Sequence, residues 1–157
     1  MELVDKFDIK QIEKNVKEYL KIQDTLELIS KSPDKNNEIM FIEGPPTMNG
    51  KPHAGHLRGR VFKDLWYRYS VLSGNNVTFN AGWDTQGLPV ELQAEKELGI
   101  EKGRKEDRTE EEIKELVSAC KKIIKKYHND WVNADQQLGV SLNQKDAYWT
   151  YKDEFIE

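Results

Sequence analysis

Three features of the sequence predict an α/β fold with parallel strands. A short apolar run at residues 38–43 is bounded by turn residues, and an amphipathic helical pattern runs from Leu57 to Leu72. A second strand-like run, Val77-Thr78-Phe79-Asn80, follows Gly74. Strand, helix and strand within roughly 40 residues make a βαβ unit, which implies parallel strands joined by a right-handed crossover.

The elements follow in order. Asp8 is placed to cap a first helix, with Ile9, Ile12, Val16, Tyr19 and Leu20 spaced by three and four to build one buried stripe. The pattern loosens through Leu26 and Ile29 and breaks at the proline-containing turn of residues 32–37. Residues 38–43 are short and apolar enough to read as a buried strand. In the crossover helix, Leu57, Val61, Phe62, Leu65, Trp66, Tyr69 and Leu72 share a face, and Gly74 supplies the stop. Arg58, Arg60, Lys63 and Arg68 then form its solvated basic side. Pro89 opens a short helix that runs through Leu98 and is closed by Gly99, with Glu91 and Glu95 exposed on it. Residues 101–115 read as a solvated charged loop and helix start. Thr109 and Glu112 form a capping box for the longest helix, whose apolar face runs from Ile113 to Trp131. His128 reads as a surface residue and Cys120 as a core residue. The tail from Leu138 shows no clear periodicity.

Composition narrows the class. At 157 residues, with 37% hydrophobic and 33% charged side chains, the chain can bury one core of ordinary domain size. No apolar run reaches the roughly 18 residues needed to span a membrane, and the first residues lack the features of a signal peptide. A single cysteine rules out an internal disulfide framework and a Cys-rich zinc site. A cytoplasmic protein without membrane association is expected. The net charge of −4 argues that this segment is not itself a main nucleic-acid-gripping surface.

The chemistry concentrates in residues 44–57, between the first strand and the crossover helix. His53 and His56 lie three apart at a helix start, where unpaired backbone N–H groups and the helix dipole favour an anion. Gly55 leaves the backbone bare for a close ligand. Two imidazoles there can donate hydrogen bonds to phosphoryl oxygens, and no metal is needed to explain them. A pair of capping or packing histidines stays open as the alternative. Asp84 follows the second strand at its carboxyl end, where ligands of parallel sheets sit, and its carboxylate can pair with an ammonium group. A plain turn residue is the alternative for Asp84.

These residues bear a family resemblance. Pro52-His53-Ala54-Gly55-His56 resembles the His-x-Gly-His signature of class I aminoacyl-tRNA synthetases. In their isoleucine, valine and leucine branch it follows a strand and a Gly-Pro-Pro loop, as Gly44-Pro45-Pro46 does here. The segment from Gly82-Trp83-Asp84-Thr85 to Glu91 resembles the second block of the isoleucyl enzymes, and the tail from Leu138 is similar to the segment before their editing insertion. Ala54 stands where the family usually has Ile. Gln86 stands where His is common, which leaves that position without an assigned role.

The resemblance implies the first half of a Rossmann-like parallel-sheet catalytic domain at residues 38–157. A helical extension at residues 1–37 precedes it, and a long amphipathic helix follows the second strand. It implies that Gly44 and Pro45 line the isoleucine pocket, that Asp84 binds the α-ammonium group, and that His53, Gly55 and His56 contact ATP, which enters with Mg2+. His53 and His56 are the implied catalytic pair. The tRNA would be held mainly by parts that this chain lacks, since no Lys-Met-Ser-Lys-Ser-like loop, editing domain or anticodon-binding domain is present. The chain is thus expected to be an N-terminal piece with little or no aminoacylation of its own. A valyl enzyme, a smaller nucleotidyltransferase and a non-catalytic synthetase-like binding module are the rival readings.

Overall fold

The computed structural model describes residues 8–23, 37–100 and 108–156. Three parallel strands form one sheet: β1 (Glu38–Phe41), β2 (Asn76–Trp83) and β3 (Asn143–Trp149), with β2 in the middle. Among the described residues four α-helices accompany them: α1 (Ile9–Gln23), α2 (Ala54–Leu72), α3 (Leu88–Leu98) and α4 (Glu110–Leu138). The βαβ unit is present as β1-α2-β2, with Phe41 opposite Phe79.

The local signals act as their chemistry requires. Asp8 Oδ1 accepts from the Gln11 N–H at 3.2 Å and starts α1. Pro89 lies in the first turn of α3, and Gly99 closes that helix in the left-handed region at φ 68°. Thr109 and Glu112 form the capping box of α4, which ends at Gly139.

Packing departs from the sequence pattern on three helices and one strand. Ile9, Ile12, Val16 and Tyr19 of α1 are exposed, so that stripe covers no core among the described residues. On α2 the expected inner face is largely outside, with Phe62, Leu65, Tyr69 and Leu72 all exposed. The residues buried there are Arg60, Tyr67 and Ser70. The basic side is therefore only partly a solvated face: Arg58 and Arg68 are exposed, with Arg68 donating to Gly139 O at 2.7 Å, but Arg60 is buried and Lys63 pairs with Glu43. Strand β1 is half-buried on one face, where Phe41 packs against the core, and open on the other, with Met40 71% exposed and Ile42 just after the strand 82% exposed. On α3, Glu95 is buried against Arg108 at 2.6 Å, a pairing that allows a carboxylate to leave water. Leu20 has no described side chain, and Leu26, Ile29 and residues 101–107 lie outside the described residues.

Two elements extend beyond the sequence reading. β2 continues to Trp83, and the tail contains β3, paired with β2 through Gly82–Tyr148 and Trp83–Trp149. The main core gathers Met48, Tyr67, Phe79, Ala81, Trp83, Val90, Ile124, Trp131, Leu142 and Ala147 around β2. A smaller cluster of Ala94, Leu116 and Ile123 joins α3 to α4. Each of these side chains is withdrawn from water, which supplies the main favourable term for the fold.

Candidate active site

Because β1 and β2 are parallel, the loops after Phe41 and after Trp83 leave the sheet at the same, carboxyl edge. They then run side by side. The Met48 N–H donates to Asp84 O at 2.8 Å, and the Asp84 N–H donates to Pro46 O at 3.0 Å. This isolated bridge extends the sheet by one residue pair and lays the Gly-Pro-Pro loop against the second motif. Thr47 Oγ1 donates to Asp84 Oδ2 at 2.7 Å, while Oδ1 has no hydrogen-bond partner among the described residues. One carboxylate oxygen is held and the other stays available, an arrangement suited to a cation.

His53 is the N-cap of α2. Its Nδ1 accepts from the Gly55 N–H at 3.1 Å, and the His53 N–H reaches His56 Nδ1 at 3.4 Å in a reciprocal capping box. The rings stack with centroids 3.6 Å apart, and His56 lies 4.9 Å from the Trp131 ring. With both Nδ1 atoms accepting, the neutral rings carry their protons on Nε2, so each ring offers a donor away from the cap. Burial, then the neighbouring His53, then Arg60 lower the His56 pKa and favour this neutral form. Capping and donation to a ligand are therefore compatible. Gly55 has a further reason to be glycine: a Cβ there would stand 3.0 Å from the His53 ring.

The remaining predicted residues divide. Gly44 is exposed with open space where a side chain would project, and Pro45 is half-buried. The carbonyl just before them, Glu43 O, accepts from the Tyr148 hydroxyl at 3.0 Å. Burial, then Glu43 and Asp84, raise the Tyr148 pKa, so the hydroxyl keeps its proton for that bond. Gln86 is exposed. His128 is no simple surface residue: its ring lies 4.9 Å from Trp83 and 4.6 Å from Trp149.

Sequence reasoning missed the supports of the site. Tyr148 reaches Glu43 because Gly82 has no side chain; a Cβ there would fall 2.2 Å from the Tyr148 ring. Thr85 Oγ1 accepts from the Tyr151 N–H at 3.2 Å, and the Thr85 N–H donates to Thr150 Oγ1 at 2.9 Å. The Trp131 Nε1–H donates to Gly50 O at 3.1 Å, fixing the far end of the loop. Arg60, expected from the sequence to be solvated, is buried one helical turn beyond His56. A shallow concavity of about 470 Å³ lies elsewhere, along the lysine-lined outer side of α4 at Lys114, Lys121, Lys122 and Lys125. It is the open surface of one helix and gathers none of this chemistry. Among the described residues no three His, Cys, Asp or Glu side chains are grouped to hold a metal ion.

Comparison with known proteins places the site in context. The family described as tRNA synthetases class I (I, L, M and V) matches residues 16–157. The chain belongs to that family. An isoleucine–tRNA ligase of Clostridium novyi (strain NT) is 43% identical over 134 residues, which is 83% of this chain and 13% of the relative. One from Deinococcus radiodurans is 37% identical over 150 residues, covering 96% of this chain and 14% of the relative. An isoleucine–tRNA ligase 2 of Bacillus cereus is 36% identical over 158 residues. The synthetase chain thus spans about one seventh of the length of the curated relatives it matches. The fold is similar to that in the crystal structure of the ternary complex of Agrobacterium radiobacter K84 agnB2 LeuRS-tRNA-LeuAMS. The TM-score there is 0.65 at 18% identity, over 96% of this chain and 16% of the other.

Proposed function

We propose that this chain supplies the isoleucine-binding and ATP-facing half of an isoleucine–tRNA ligase active site. The observation that carries the reading is the Thr47–Asp84 bridge, which joins the Gly-Pro-Pro loop to the second motif beside the histidine-capped helix. The isoleucine names of the relatives favour this substrate over valine. No observation favours a non-catalytic module, since every candidate site residue is present.

In this reading Asp84 Oδ1 accepts from the isoleucine ammonium group, and the bare backbone at Gly44 with the rigid ring of Pro45 borders the aliphatic side chain. His53 and His56 direct their Nε2–H donors at ATP, which arrives with Mg2+. A carboxylate oxygen of isoleucine attacks the α-phosphorus; a new C–O–P linkage forms as the bond to the β-phosphate oxygen breaks, and pyrophosphate leaves with that electron pair. The imidazoles stabilise the negative charge that builds on phosphoryl oxygens during this displacement. The adenylate then passes its acyl group to a hydroxyl of the tRNA terminus, releasing AMP. The tRNA is gripped mainly outside this chain. Residues 1–37 act as a helical extension to a catalytic half at 38–157, and the enzyme works in the cytoplasm.

Titration with non-hydrolysable isoleucyl-, valyl- and leucyl-adenylate analogues tests the reading. The isoleucyl compound is expected to bind most tightly. Equal binding of all three, or of none, would contradict it. Pyrophosphate exchange by the chain alone is expected to be negligible, because half of a site cannot align ATP with the carboxylate.

A further inference from the structure

Resting on that reading, we propose that Arg60 is a positioning residue that keeps the isoleucine half and the ATP half of the site in register. Arg60 is 2% exposed. Its guanidinium carbon lies 5.3 Å from the Trp83 ring centroid and 5.4 Å from that of Trp131. Nη1 is 3.3 Å from Glu43 Oε1, and Nε is 3.4 Å from Asp135 Oδ1. Lys63 Nζ also reaches Glu43 Oε1, at 2.5 Å, so two carboxylates are balanced by two cations.

Three neighbours of Arg60, namely Glu43, Trp83 and Trp131, adjoin different pieces of the site. Glu43 directly precedes Gly44 and Pro45, and Trp83 directly precedes Asp84. Arg60 itself stands one turn beyond His56 on α2. Trp131 holds the Gly50 carbonyl and packs against the His56 ring. Arg60 therefore touches the residue that leads into the substrate loop and the strand that delivers Asp84, sits on the helix that delivers the histidines, and reaches the Gly50 end of the loop through Trp131. An arginine suits this position because its planar fork can face two carboxylates while its faces lie against aromatic rings; lysine offers a point charge without that plane. A buried ion pair kept only for stability can often be exchanged for apolar packing. One that sets the spacing between two substrate sites cannot.

The test uses the full chain with Arg60→Lys, Arg60→Met and the double variant Arg60→Met/Asp135→Asn, which removes the uncompensated charge left by the single change, Glu43 keeping its partner Lys63. Amide NMR spectra establish which variants fold. Affinities are then compared for isoleucinol, for ATP, and for the isoleucyl-adenylate analogue that spans both. Arg60→Met is expected to weaken the spanning analogue about tenfold while changing each separate ligand by less than about twofold, because misplacement penalises only a ligand that must satisfy both halves. Arg60→Lys should recover part of the loss. A parallel loss for all three ligands assigns Arg60 to scaffold alone, and unchanged analogue binding removes any role; either overturns the proposal. Failure of the unmodified chain to bind the analogue would instead overturn the site reading on which the proposal rests.

Discussion

Gly82 illustrates how one residue without a side chain can shape a site it does not itself form. The Tyr148 ring occupies the space where a Cβ would project, and its hydroxyl fixes the carbonyl that leads into Gly44. Gly82→Ala must displace that ring or the strand beneath it. The expected cost is about 1–3 kcal/mol by overpacking, measured as a lower urea midpoint with an unchanged slope. A midpoint equal to that of the unmodified chain would contradict the close approach. His53 separates two jobs in the same way. Asparagine can accept the Gly55 N–H as a cap, so His53→Asn should leave stability within a few tenths of a kcal/mol, whereas His53→Ala should cost about 1 kcal/mol. Both lose the imidazole, so both should weaken ATP binding. A normal ATP affinity in His53→Asn would mean that the ring serves only as a cap.

At the scale of elements, much was legible because helix ends carry explicit chemistry. Asp8, Pro89 with Gly99, and Thr109 with Glu112 each marked a boundary through a hydrogen bond or a fixed backbone angle that depends on few neighbours. Strand β3 was hidden because Asn143-Gln144-Lys145-Asp146 offers no apolar alternation; its place is set by pairing with β2 rather than by local preference. The face of α2 was misjudged for a related reason. Apolar spacing shows that a stripe exists but not which neighbour covers it, and here Arg60 and Tyr67 turn inward while Phe62 and Leu65 face out. Arg60 looked solvated because its partners, Glu43 and Asp135, lie 17 and 75 positions away in sequence, and such pairings leave no local trace. The motifs, by contrast, lie within short stretches. His53, Gly55, His56 and Asp84 could therefore be singled out as candidates from the sequence, while the residues packed around them could not.

The element α4 also carries a pH dependence. Burial lowers the His128 pKa, with Trp83 and Trp149 against its ring. As pH falls, the unfolded chain takes up this proton first, near the ordinary value of about 6.5. The contribution is thus fully present above that value, declines as pH drops through it, and levels off below the folded pKa. Equilibrium unfolding followed from pH 8 to pH 5 should show this decline, and His128→Phe should make it shallower, leaving the part that comes from His56. An identical decline in the variant would place the titrating group elsewhere.

On the scale of the whole molecule, the charges and apolar groups of the site end are assembled from segments spread over most of the described chain. Asp84 is held by Thr47, the loop before Gly44 by Tyr148, and the loop end at Gly50 by Trp131. The central claim is that this assembly presents Asp84 to the ammonium group of an amino acid. Calorimetric titration of two isoleucyl-adenylate analogues, one with the amino group and one lacking it, tests that claim most directly in the unmodified chain and in Asp84→Asn. A charge-assisted hydrogen bond predicts that the unmodified chain prefers the amine-bearing analogue by about tenfold or more, and that Asp84→Asn abolishes the preference. A preference that survives Asp84→Asn, or that never exists in the unmodified chain, would contradict the account.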